Sequence, residues 1–120
     1  MNPVGYFEIP VNDLDRAIIF YQRVFGYQFE RVVIDDNEMA LFPFNEQGSG
    51  VTGALVKGDS YTPSKAGARI YFSTEDIEDI LAKACAEGGM VLYPKTAIGE
   101  LGYVAEFEDS EGNRIALHAS

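Results

Sequence analysis

Apolar positions along this chain follow one period, then another, and the switch happens twice. Over residues 4–11 they alternate, with Phe7, Ile9 and Val11 on one side and Tyr6, Glu8 and Pro10 on the other, as in a strand with two unlike faces. At Asp13 the period lengthens to that of a helix. Leu14, Ala17, Ile18, Tyr21 and Phe25 make a single stripe, Asp13 is placed to cap its start, and Gly26 to end it in a left-handed conformation. Residues 29–34 and 39–42 then read as a hairpin around Asp35-Asp36-Asn37. Residues 51–56 read as a fourth strand, in which Gly53 leaves room for a close approach to its backbone.

The pattern then restarts. Residues 57–66, rich in Gly, Asp, Ser, Thr, Pro and Lys, read as a linker. Beyond them Ile70, Phe72 and Thr74 repeat the core-facing set, while Arg69, Tyr71 and Ser73 take the other face. Asp13 and Asp76 lie 63 positions apart, and the same offset pairs Ile9 with Phe72, Leu14 with Ile77, Ile18 with Leu81 and Gly26 with Gly89. Asp76 caps a second helix bearing Ile77, Ile80, Leu81 and Ala84, which Gly88-Gly89 stop. Strands at about 90–98, 103–108 and 113–119 follow, the last two joined by a tight turn at Asp109-Ser110-Glu111-Gly112-Asn113. A unit of strand, helix and three strands lays its helix on one face of a four-stranded sheet and leaves the other face open. The predicted fold is therefore α+β: one domain over 1–120 built from two tandem βαβββ modules, about 4–57 and 67–119. Their strands form a cupped mixed sheet with the helices on its outer face and a cleft inside.

Composition narrows the partners. Nine basic against nineteen acidic residues give a net charge of −10, which repels nucleic acid and anionic membrane surfaces. No apolar run approaches the roughly 20 residues of a membrane span, and no secretory pattern opens the sequence, so the expected location is the cytoplasm. The single cysteine, Cys85, is expected to be buried and inert beside the second helical stripe.

The segments Phe7-Glu8-Ile9-Pro10-Val11-Asn12-Asp13-Leu14-Asp15-Arg16-Ala17 and Phe20-Tyr21-Gln22-Arg23-Val24-Phe25-Gly26-Tyr27 resemble the strand and helix signatures of the vicinal oxygen chelate superfamily. That superfamily includes glyoxalase I, bleomycin- and fosfomycin-resistance proteins and extradiol dioxygenases. The ending Phe107-Glu108-Asp109-Ser110-Glu111-Gly112-Asn113-Arg114-Ile115 resembles its closing hairpin, with Ser110 where proline is usual. The resemblance implies a homodimer whose paired chains complete their clefts, with the modules sharing a cleft within one chain or exchanging between two. In catalytic members it also implies a divalent metal held by His, Glu or Gln on the open strand faces. Carried over one at a time, those positions fall on Tyr6, Arg69, Ala116 and the neighbourhood of Gly53 and Ala54, and none of these replaces an imidazole or carboxylate ligand. No metal or other cofactor is expected. A shifted metal site of Glu8, Glu106 and His118 is the alternative.

The open faces are expected to gather Tyr6, Glu8, Arg69, Tyr71, Glu106, Arg114 and His118 around a small-molecule ligand. Glu8, Arg69 and Glu106 are the candidate catalytic residues. Arg69 suits clamping a carboxylate or an enolate-like oxygen, and a carboxylate with a raised pKa suits proton transfer. Tyr6, Tyr71, Arg114 and His118 are the candidate binding residues. Each has a plainer reading: Arg69 as the structural partner of Glu8 or Glu106, the tyrosines as wall or interface residues, His118 as a solvated end. Two functions stand side by side. One is a glyoxalase-like lyase or isomerase working without metal or with the shifted site. The other is a binding or sequestering protein of the bleomycin-resistance kind.

Overall fold

The computed structural model describes residues 2–120 and contains the repeated unit. The first module runs β1 (Phe7–Pro10), α1 (Leu14–Phe25), β2 (Glu30–Ile34), β3 (Asn37–Leu41) and β4 (Gly53–Lys57). In the second come β5 (Tyr71–Ser73), α2 (Ile77–Ala86), β6 (Met90–Ala97), a 3-10 turn (Gly99–Leu101), β7 (Tyr103–Glu108) and β8 (Arg114–Ala119). The strands form two four-stranded mixed sheets of matching order, β1-β4-β3-β2 and β5-β8-β7-β6. In each the opening strand lies parallel to the last, and the remaining pairs are antiparallel.

The local signals act where the sequence puts them. The Asp13 side chain accepts a hydrogen bond from the Arg16 N–H, and Gly26 ends α1 at φ 79°. Asp35 and Asp36 both take positive φ, so a two-residue turn joins Ile34 directly to Asn37. Gly112, at φ 90°, makes the last hairpin turn possible. Strand ends differ from expectation by one to a few residues. The largest difference is β5, whose ladder covers only Tyr71–Ser73, although Ala116 N–H to Ile70 O and Thr74 N–H to His118 O bonds continue the pairing on both sides.

One core serves both modules. Ile9, Ala40 and Leu55 of the first sheet and Phe72, Ala105, Phe107 and Leu117 of the second belong to the same buried cluster, together with the apolar faces of α1 and α2, which pack on each other. Phe20 of α1 lies 6.2 Å from Phe107, and Phe7 meets Phe72 edge-on at 6.0 Å where β1 passes β5. Being enclosed on more than one side, α1 buries Phe20 and Val24 beyond the stripe read from its sequence. Cys85 corrects an expectation, for it is exposed. At 3.6 residues per turn it sits roughly 90° from the centre of the stripe that Ile77, Ile80, Leu81 and Ala84 bury. The linker is also less loose than its composition suggests: Tyr61 packs against a small second cluster of Met39, Ala54 and Val56 on the open face of the first sheet.

Candidate functional site

Strand pairing decides which side chains share the open faces. Across the first sheet Glu8 stands beside Ala54, and Ala54 beside Leu41. Across the second, Tyr71 stands beside Ala116, Ala116 beside Glu106, and Glu106 beside Tyr93. Each row sets a carboxylate next to an alanine.

Each carboxylate is already engaged. Glu106, almost fully buried, accepts from Arg69 Nη1 at 3.1 Å through Oε2 and from Arg114 Nη1 at 2.5 Å through Oε1. Half of the Arg69 side chain stays exposed, whereas Arg114 is more enclosed. Glu8 accepts from the Tyr6 hydroxyl at 3.0 Å and from Tyr61 at 2.7 Å. Partial burial, then the hydrogen bond to Glu8, push the Tyr6 pKa up to about 12. The bond to Glu8 also raises the pKa of Tyr61. Both phenols are neutral donors at ordinary pH. One member of each group, Glu8 and Arg114, lines a cavity of about 160 Å³ together with Ser64, Asn113 and apolar residues such as Ile9 and Ile70.

Of the seven predicted residues, then, Arg69, Glu106 and Arg114 form one cluster and Tyr6 and Glu8 another, with Tyr61 an addition. As the one aromatic residue in an otherwise polar linker, Tyr61 was its own signal. Tyr71 is half exposed at the seam between the sheets and lines a separate, larger cavity. His118 joins neither cluster. It is held inside β8, paired with Ser73 and Val104, and its Nε2 lies 2.6 Å from the Leu101 carbonyl oxygen. This corrects both the picture of a frayed end and the shifted metal site. Among the described residues no three His, Cys, Asp or Glu side chains come together to hold an ion. At the positions where the resemblance would put ligands, Arg69 brings a positive charge, Ala116 no donor atom and Tyr6 a phenol bound to Glu8, so the residues present do not fit a divalent ion there.

The closing turn does structural work. Glu111 Oε1 accepts from the N–H groups of Asn12 and Asp13, and Arg16 forks onto both of its oxygens. Burial opposes ionisation of Glu111, but Arg16, those N–H groups and Ser110 outweigh it and hold its pKa below the usual value. Asp109 accepts from the buried Tyr21 hydroxyl at 2.7 Å. Its pKa is raised by burial, which its hydrogen bonds offset only in part. Asn113 donates to the Pro10 carbonyl oxygen and accepts from Ser64 N–H. A turn in the second module thus holds the first helix and the linker.

Paired βαβββ modules, each with a helix on one face of its sheet and an open face on the other, define the class of fold. The sequence matches the family model of the glyoxalase/bleomycin resistance protein/dioxygenase superfamily over residues 4–117, and the chain belongs to that superfamily. A glyoxylase-like domain-containing protein from Didymella fabae is 27% identical over 114 residues, covering 92% of this chain and 88% of its own. The fold is similar to that of a glyoxylase/bleomycin resistance protein/dioxygenase domain from Frankia sp. EAN1pec, with a TM-score of 0.75 at 17% identity over 100% of this chain and 98% of that one. Glyoxalase I from Zea mays aligns with a TM-score of 0.68 at 18% identity over 98% of this chain. This chain spans 46% of the maize enzyme's length.

Proposed function

We propose that this protein binds a small organic molecule carrying a carboxylate or similar anionic group, and that it does so on its open face without a metal. The observation that carries this reading is the sharing of Glu106 between Arg69 and Arg114. Within that cluster two guanidinium groups share one carboxylate, and half-exposed Arg69 has donors to spare for a ligand. Glu106 then acts as the positioning residue that aims both arginines.

Binding is favoured over catalysis because neither candidate base is free. Glu106 is held by two guanidinium groups and Glu8 by two phenols, contacts that tie both candidate bases into fixed clusters. A cationic ligand of the bleomycin kind fits this spot poorly for the same reason, although the overall charge of −10 would attract one elsewhere.

Calorimetric titration with a panel of small carboxylates, each beside its neutral amide, tests the proposal. Carboxylates should bind and amides should not, and Arg69→Ala should weaken binding about ten- to a hundredfold, the worth of a charged hydrogen bond. Unchanged affinity in Arg69→Ala would sink it. So would stoichiometric nickel, zinc, manganese or iron in protein purified without a metal-affinity tag. The chain is further proposed to be a homodimer, which light scattering after size exclusion checks.

A further inference from the structure

A cavity of about 500 Å³ opens at the seam between the two sheets, with none of the Arg69, Glu106, Arg114, Tyr6 or Glu8 side chains in its lining, and lies within the usual size range of small-ligand pockets. Its walls come from both modules. Phe7, Tyr27, Phe42 and Phe72 contribute rings, with Phe7 5.4 Å and Tyr27 5.8 Å from Phe42 and Phe42 5.6 Å from Phe72. Residues before β1 and the segment leading into β4, Val51 among them, form its rim.

Two features specify what it would hold. In a chain with nine basic and nineteen acidic residues, none of the described residues lining this cavity has a charged side chain. Charged ligands would lose their hydration there with no opposite charge in return. Tyr27 supplies the orienting group. It lines the cavity, and burial raises the pKa of its phenol, so its hydroxyl is protonated and can donate.

We propose that this cavity is a second ligand site, separate from the Arg69 cluster, that takes a neutral, flat aromatic molecule lying against the rings of Phe7, Phe42 and Phe72 with its polar substituent on the Tyr27 hydroxyl. The site goes beyond the open-face reading and depends on none of its residues.

The chain contains no tryptophan, so the fluorescence of an added naphthol or indole is read against a low background. Titration with 1-naphthol should show saturable one-to-one binding. Val51→Glu places a carboxylate on the exposed rim and should weaken it at least about tenfold, with an unchanged urea midpoint showing that the variant is folded. Tyr27→Phe keeps the ring, removes the donor and should weaken binding about fivefold. Naphthalene, lacking the hydroxyl, should bind wild type and Tyr27→Phe equally. The proposal is overturned if 1-naphthol does not saturate, or if Val51→Glu binds it as well as wild type. It is also overturned if naphthol is expelled as the chain self-associates, because a second copy would then be the occupant.

Discussion

Glu111 has no exposed side-chain surface, yet it takes five hydrogen bonds, from Asn12, Asp13, twice from Arg16 and from Ser110. Replacing it with alanine leaves two N–H groups at the start of α1 without an acceptor, while half-exposed Arg16 can turn to water. The expected loss is therefore about 2–3 kcal/mol in urea unfolding, at the level of one charged hydrogen bond. The pH dependence has a definite sign. Because the folded pKa of Glu111 is depressed, its contribution is complete above the unfolded value, about 4.3, and is lost as the pH falls through the folded one. Wild type and Glu111→Gln should accordingly draw together in stability as the pH falls from that unfolded value through the folded one, and curves that stay parallel would refute this. Asp109, with its raised pKa, works in the opposite direction and softens the acid limb. Gly53 is a second sharp position. A Cβ there would sit 2.0 Å from the Phe7 carbonyl oxygen, so Gly53→Ala must push β1 off β4. It should cost about 2–3 kcal/mol, with faster hydrogen exchange at Val11, whose N–H bonds Val56 O.

Among the elements, helix starts were the most legible features because their causes are local. Asp13 and Asp76 each accept from the N–H three residues on, a contact that needs no knowledge of the fold. Their surroundings differ, since only α1 receives a carboxylate from the other module. Asp76→Ala should cost about 1 kcal/mol and act alone. Asp13→Ala and Glu111→Ala, which loosen the same turn, should couple by at least about 0.5 kcal/mol in a double-mutant cycle. The extent of burial was less legible. Phe20 and Val24 lie outside the stripe that period predicts because a second module covers them, and Cys85 lies exposed because the stripe of α2 ends short of it.

For the whole molecule, a single core across both modules and a turn that clasps the first from the second predict one cooperative unfolding transition. Far-ultraviolet dichroism and tyrosine fluorescence should change together, and two separated transitions would contradict the shared core. The site shows the same division between near and far. Alternation along β1 and β5 was enough to bring Glu8, Arg69 and Tyr71 to open faces. That Arg69 would join Glu106 and not Glu8, that a linker tyrosine would occupy Glu8, and that an uncharged cavity would open at the seam could not be read from alternation. Two repeats with their strands, helices, caps and turns were legible from local pattern, since those arise between residues a few positions apart. What meets across 88 to 103 positions, where Tyr21 finds Asp109 and Pro10 finds Asn113, came from the packing of the folded chain. Such partners are selected by the angle and spacing at which two finished sheets pack, and no local pattern encodes that geometry.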